Sequence, residues 1–331
     1  MEHASLQQQF FEYISNKLPK KTSLTEKVSE ILNISTDSAY RSIEGGRLIG
    51  LNEIKKLASH YNISIDHFMQ QENDAFLFFD RSLASNSSFH FELFLKELID
   101  DLSLMLAFEN KRIYCLNKDI PIFYHFAFPE LGAFKCFFWM KTIVHNPAFA
   151  KEKFSVDKYV DQFIEAGKKI NSLYSQIPSV EIWNVENINS TLKQIEYYKN
   201  TSSFLSKNDI EKIYAALAKT IEQVELNAES GYKFITGSSL KGVKCDIYIN
   251  EFILGDNTYL VELNNTKFTY VNHGVINYMI TKDERFCNFT YNHFQNIMMR
   301  SIFISGNNEK ERLRFFNKIK DKINNRIAPM P

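Results

Sequence analysis

An excess charge of either sign is the first thing this 331-residue chain lacks. Thirty-nine Lys+Arg stand against 39 Asp+Glu, for a formal net charge of zero. Whole-chain electrostatics therefore cannot drive binding to phosphates, and any such contact must come from a local patch. Paired cysteines are missing too. Cys115, Cys136, Cys245 and Cys287 are far apart with no C-x-x-C among them, which argues against a zinc site or redox pair and suits small buried hydrophobes in a reducing compartment. The start, "MEHASLQQQFFEY", has no basic stretch leading into an apolar core, so a secretory signal is not expected. The most apolar stretch, 120–144, is broken by two prolines, a histidine, a glutamate and two lysines, which argues against a membrane span. A cytoplasmic protein is expected.

Chemical signatures are equally scarce. "TGSSLKG" (236–242) lacks the Gly-Lys-Ser/Thr ending of a phosphate loop and reads as an ordinary loop. The eight histidines are dispersed without metal-ligand spacing, no G-x-S-x-G occurs, and "DER" (283–285) reads as a turn with surface ions. No catalytic set, metal or cofactor is expected. There is no fixed-period repeat and no low-complexity tract.

What the chain does have is aromatic mass, 29 Phe and 16 Tyr. Rings filling large cores are the ordinary explanation, and an aromatic-lined ligand pocket is the sharper one. The length allows two or three domains.

Residues 1–70 read as short helices. Leu6, Phe10, Ile14 and Leu18 recur every four residues, with Phe11 beside them, and Pro19 ends that first helix. "SLTE" (23–26) has the form of a capping box before a second helix with Leu24, Val28, Ile31 and Leu32 on its apolar face. Residues 33–35 turn, Thr36 to Glu44 form a third helix, and Gly45-Gly46 stop it. Leu51, Ile54, Leu57, Ala58 and Tyr61 mark a fourth, and 62–69 a short fifth with Asp66 in its opening turn. Residues 71–90, including the Ser/Asn-rich 83–90, read as a linker.

The remainder, 91–331, reads as mainly helical to about Gly231, followed by strands at 243–254, 258–264 and 267–272. The first two strands are joined by "GDN" (255–257), a hairpin turn. Residues 274–281 fit a strand or a helix. Two helices close the chain, 290–303 and 305–323. Residues 309–326 carry Lys310, Arg312, Arg314, Lys318, Lys320, Lys322 and Arg326 against Glu309, Glu311 and Asp321, a net of +4. Leu313, Phe316, Ile319 and Ile323 make an apolar stripe there, so this end reads as a solvated helix packed on its own domain, with a DNA or partner surface as the alternative.

Two helices joined by three or four residues are what a helix-turn-helix requires, the second entering the major groove with its N-terminal half at the bases. Taking Ala39, Tyr40 and Ile43 as inward-facing leaves Thr36, Asp37, Ser38, Arg41 and Ser42 as candidates to face bases. Arg41 alone among them can pair bidentately with guanine. Asp37 can accept from cytosine N4 or stabilise the helix N-terminus. Lys20, Lys21, Lys27 and Arg47 stand where such a fold meets phosphates. Lys17, Lys20, Lys21, Lys27, Arg41, Arg47, Lys55 and Lys56 nevertheless meet eight carboxylates within residues 1–70, so this segment also has no net charge. A neutral reader needs a dimer or a second anchor.

At these residues a family resemblance enters. "LTEKVSEILNISTDSAYRSIEGGRLIGLNEIKKLASHYNISIDHFM" (24–69) resembles the five-helix domain of lambda-repressor-like, XRE/Cro-type regulators, through "NIS" (33–35), "SIEGG" (42–46), "LNEIKKLASHY" (51–61) and "ISID" (63–66). "STDSAYR" (35–41) resembles more closely the reading helix of BetR-like helix-turn-helix regulators, and "FISGNNEKERLRFFNKI" (303–319) resembles their C-terminal end. Asn33 stands where the broader family has glycine, and asparagine tolerates the left-handed conformation.

The resemblance implies a bacterial transcription regulator whose partner is double-stranded DNA. The fold class expected is multidomain α+β: an all-α five-helix helix-turn-helix domain (1–70), a linker (71–90), and a mainly helical region with a small antiparallel β-sheet (91–331). The last is expected to form a homodimer and to sense a small-molecule or protein signal. Alternatives are a scaffold protein whose helix-turn-helix binds protein, or an enzyme within 91–331.

Overall fold

The computed structural model describes residues 5–15, 18, 22–61, 63, 65, 68, 79–80, 91–234, 241–252, 257–273 and 275–327. The chain divides into two compact units, Met1–Leu77 and Phe78–Pro331.

The described residues of the first unit form four helices: α1 (Leu6–Ser15), α2 (Leu24–Leu32), α3 (Thr36–Ile43) and α4 (Leu51–His60). Phe10, Phe11 and Ile14 of α1 meet Val28, Leu32, Ala39, Leu57 and Ala58 in one small core. Leu6, at the head of the expected apolar stripe, is instead half exposed. Most of the expected fifth helix, Asp66 included, lies outside the described residues. Within it Ile63 is buried, and the Phe68 ring meets Phe10 edge-on at 5.2 Å. Pro19 also lies outside them.

The second unit differs from expectation. Its described strands form one nine-stranded mixed sheet, in the order β1-β8-β7-β6-β2-β3-β5-β4, with β9 beside β5. These are β1 (Phe79–Asp80), β2 (Lys111–Leu116), β3 (Ser179–Trp183), β4 (Tyr232–Phe234), β5 (Lys241–Ile249), β6 (Thr258–Leu263), β7 (Thr266–His273), β8 (Asn277–Thr281) and β9 (Ile302–Phe303). β2 and β3 fall in the stretch read as helical, and β2, β3 and β5 run parallel to one another, while β2 is antiparallel to β6 and β5 to β4 and β9. Parallel strands need crossovers, and helices Pro129–Phe138, Asp161–Tyr174, Asn187–Asn200 and Lys207–Ser230 supply them. Within the expected linker only 79–80 are described, and they pair with β8. Residues 277–281 are a strand.

The expected hairpin between 243–254 and 258–264 does not form. β5 pairs with β3, and β6 pairs with β7 across Asn264-Asn265, with Asn264 at φ +52°. Residues 255 and 256 of the expected turn lie outside the described residues, as does most of 236–242.

Alternation along the strands sorts two faces. Tyr114, Leu116, Val180, Ile182 and Leu260 meet Cys287, Phe294 and Ile297 of helix Glu284–Met299. Ile113, Cys115, Cys245, Ile247, Tyr259 and Val261 face the larger helical layer, whose rings pack on one another. Phe134, for instance, stacks on Phe204 with centroids 5.7 Å apart and meets Phe154 and Tyr198 edge-on. All four cysteines are buried and unbridged. Buried charge is compensated: the Glu181 carboxylate accepts from Tyr124, Tyr174, Ser179 and the Trp183 indole N–H at 2.7–3.0 Å. Buried Lys233 donates to the carbonyls of Tyr174 and Ile177, and burial lowers its pKa to about 8.

Helix Glu309–Ile327 packs on its own unit through Phe315, Phe316, Ile319 and Ile323. Leu313, expected in that stripe, is exposed, and Arg312 is buried with its guanidinium on the Ile304 and Asn307 carbonyls. Lys320, Lys322 and Arg326 pair with Glu225, Glu186 and Glu196 at 2.5–2.8 Å. Among the described residues, no helix is long and apolar enough to cross a membrane, and no group of three His, Cys, Asp or Glu could hold a metal.

Candidate nucleic-acid interface

Local bonds set the geometry of α2, its turn and α3. The Ser23 hydroxyl accepts the Glu26 N–H at 3.4 Å and opens α2. Asn33 closes it in the left-handed conformation (φ 57°, ψ 51°). The Ser29 hydroxyl fastens the turn by donating to the Ile34 carbonyl at 2.6 Å. Ser35 then caps α3, its hydroxyl accepting the Ser38 N–H at 3.2 Å. Glu44 follows α3, and Gly45 at φ +84° turns the chain away.

The exposed side of α3 carries Thr36, Asp37, Tyr40, Arg41 and Glu44, with Ser38 half-buried at its margin. This corrects the expected facing at two positions. Tyr40, expected inside, is 55% exposed, and Ser42, expected among the base-facing residues, is fully buried. Ser42 cannot reach a base from there. Its hydroxyl donates to the Ser38 carbonyl at 2.9 Å and accepts from Arg47 Nη1 at 2.8 Å, so the small polar side chain is satisfied inside the fold.

Arg47 departs from its expected role for the same reason. Its guanidinium meets Glu53 Oε1 at 2.6 Å as well as Ser42, and its side chain is only one-third exposed. Its hydrogen bond, with a second from the Gly50 N–H, holds the Glu53 carboxyl below the usual carboxylate range. Arg47 thus ties α3 to the start of α4 and leaves little charge for a phosphate. Lys27 is exposed and pairs with Glu30 at 2.6 Å, and that hydrogen bond raises its pKa. Lys20 and Lys21 lie outside the described residues.

Gln7 is the residue that sequence reasoning missed. From α1 its amide donates to the carbonyls of Ser42 (2.6 Å) and Arg47 (2.7 Å) and accepts the Ile49 N–H (3.0 Å). Gln8 adds a bond to the Glu44 carbonyl at 3.0 Å. The segment after α3 is therefore held from α1 as well as from Glu53. Nothing local in "LQQQFF" signals this, because the partners are 35–42 residues away.

The outer face of α3 carries short polar groups at its N-terminal end and one ring and one guanidinium further along. Its charge does not favour phosphate, since Arg41 stands against Asp37 and Glu44. No curated protein and no solved structure matches the chain. Residues 14–77 match the family model described as the BetR domain, so the segment holding α2, the Asn33 turn and α3 is similar to the helix-turn-helix module of BetR-like regulators.

Proposed function

We propose that the chain is a sequence-specific DNA-binding transcription regulator, in which α3 enters the major groove and the second unit pairs two copies and carries a signal-responsive site. The observation that carries this is the coincidence of the BetR match with a capped, correctly turned helix pair whose second member offers a small polar face. Arg41 is the residue assigned to guanine, Thr36 and Ser38 to bases or backbone oxygens, and Tyr40 joins them because it is exposed beside Arg41. Asp37 lies in the first turn, where a carboxylate stabilises the helix N-terminus and disfavours a wrong, phosphate-facing pose. Lys27, exposed on α2, meets the backbone by exchanging Glu30 for a phosphate, together with Lys20 and Lys21. Pairing of two copies follows from the neutrality of the reading unit, which leaves one copy with few phosphate contacts.

A binding role for the second unit is supported over catalysis by the single carboxylate of its polar cavity. Asp119 there is already bound to Lys135 at 2.8 Å. Arg41→Ala tests the reading helix. Competition binding with duplexes changed one base pair at a time should show preference reduced at one position by about 1–3 kcal/mol, while affinity for unrelated DNA barely changes. Unaltered preference means that α3 does not read bases.

A further inference from the structure

The second unit holds a cavity of about 280 Å³ just past the carboxyl end of β2, where the chain leaves the sheet for its helices. Crevices at the carboxyl ends of parallel strands are where open α/β sheets accept ligands. Two of its walls are out of balance. His125 and Trp139 are nearly fully buried, and among the described residues neither the two imidazole nitrogens nor the indole N–H has a hydrogen-bond partner; the Asp119 carboxylate lies 3.9 Å from His125 Nε2, beyond hydrogen-bond reach. Buried polar groups without a partner in the fold are rare, and a bound water or ligand is one way of pairing them. Trp139 also opens a π-helical turn (Trp139–Ile143), closed by the Val144 N–H on its carbonyl at 2.8 Å, a rare conformation concentrated at functional sites.

The remaining groups define what would fit. Both Asp119 oxygens are taken, by Lys135 Nζ (2.8 Å), the Thr191 hydroxyl (3.1 Å) and the Ile120 N–H (2.8 Å). Gln194 Oε1 is taken by Lys135 at 2.9 Å, and Asn257 Oδ1 by the Lys118 N–H at 3.0 Å. The Asp119, Gln194 and Asn257 oxygens are thus used, and donors remain, among them the Trp139 indole, one imidazole N–H, the Asn257 amide, the Ser190 hydroxyl and the Lys118 ammonium. Lys118 has no ion pair among the described residues, whereas Asp119 and Lys135 neutralise each other. Ile122, Tyr259 and Tyr278 are shared with an adjoining apolar recess of about 90 Å³.

We propose that this cavity binds a small monocarboxylate, with its carboxyl group among Trp139, His125, Asn257 and Lys118 and its short hydrocarbon part in the apolar recess. A carboxylate has about four lone-pair sites and no donor of its own, which suits a lining where donors predominate. The site gives the signal-sensing half of the proposed function a place and a ligand class, and rests on that reading only for its consequence on DNA.

The chain has two tryptophans, Trp139 and Trp183, so intrinsic fluorescence of the full protein, without DNA, reports binding. Isovalerate and phenylacetate are the probes, with isovaleramide and phenylacetamide as neutral counterparts. Either carboxylate should give a saturable change with a midpoint of about 1 mM or below, and its amide should bind at least ~10-fold more weakly. Lys118 is exposed, so Lys118→Ala should fold normally and abolish the acid–amide difference, while Trp139→Phe should remove the signal. If Trp139→Phe does not fold, Lys118→Ala alone decides. No saturation by about 10 mM (a cavity of ordered water only), equal binding of acid and amide, or indifference to Lys118→Ala overturns the proposal. Saturation by the acids in a chain with no DNA preference would refute the regulator reading and leave the site standing. DNA preference without saturation would do the reverse.

Discussion

Tyr40 and Ser42 exchange places relative to the sequence reading, and the reason is chemical. Hydropathy puts a tyrosine inside and a serine outside. A serine on a helix can satisfy its hydroxyl on the carbonyl four residues back, as Ser42 does with Ser38, and then packs as a small residue. A tyrosine can stand at the surface with its ring beside an arginine. Asn33 was legible because its left-handed backbone is a property of one residue. Gln7 and the Arg47–Glu53 pair were not, since each depends on a partner brought close by folding. Gln7→Ala should therefore remove three hydrogen bonds and lower the stability of the first unit by about 1–3 kcal/mol in thermal or urea unfolding, without touching the outer face of α3. His125 supplies a pH test in the second unit. Burial, with the nearby Lys135 charge, lowers its pKa from 6.5 to about 3. The unfolded chain then takes up a proton that the folded chain refuses, so stability is fully present above pH 6.5 and falls between about 6.5 and 3. Unfolding midpoints across that window should drop with pH, and His125→Gln should flatten the drop. A wild-type profile level from pH 7 to 4 would contradict the neutral, unpaired imidazole.

At the scale of elements, helices with caps and periodic apolar faces were recognisable, and α2, α3 and α4 begin and end within a residue or two of expectation. β2 and β3 were not, because both are five or six residues long and buried on both faces. An apolar run without alternation does not distinguish an inner strand from a buried helix. Glu181 in the middle of β3 obscures it further, and only the donors from elsewhere in the fold explain that residue. Two candidate turns follow β5 in the sequence, and the Asn264-Asn265 turn is the one that pairs its flanking strands. The turn between α2 and α3 offers a sharp test of element-level design. Asn33→Gly should leave stability within a few tenths of a kcal/mol, whereas Asn33→Val should cost about 1–2 kcal/mol and weaken DNA binding with it. Equal stability of the two variants would contradict the left-handed turn.

For the whole molecule, zero net charge remains the governing fact. Three cations at the chain's basic end, Lys320, Lys322 and Arg326, are neutralised within their own unit. In the proposed function, affinity comes from few phosphates per copy and should depend on protein concentration if two copies pair. A plot of log affinity against log salt should have a shallow slope, corresponding to about two to four phosphates per copy. A slope implying six or more from one copy would mean a basic surface that the account does not contain. The central claim is that α3 reads sequence, and selection of bound duplexes from a random pool by the full chain and by Arg41→Ala tests it most directly. Two related half-sites with centres about 34 Å apart or a multiple of it should be enriched, with one position per half-site relaxed in the variant. No enriched sequence, or identical enrichment with and without Arg41, would contradict that claim.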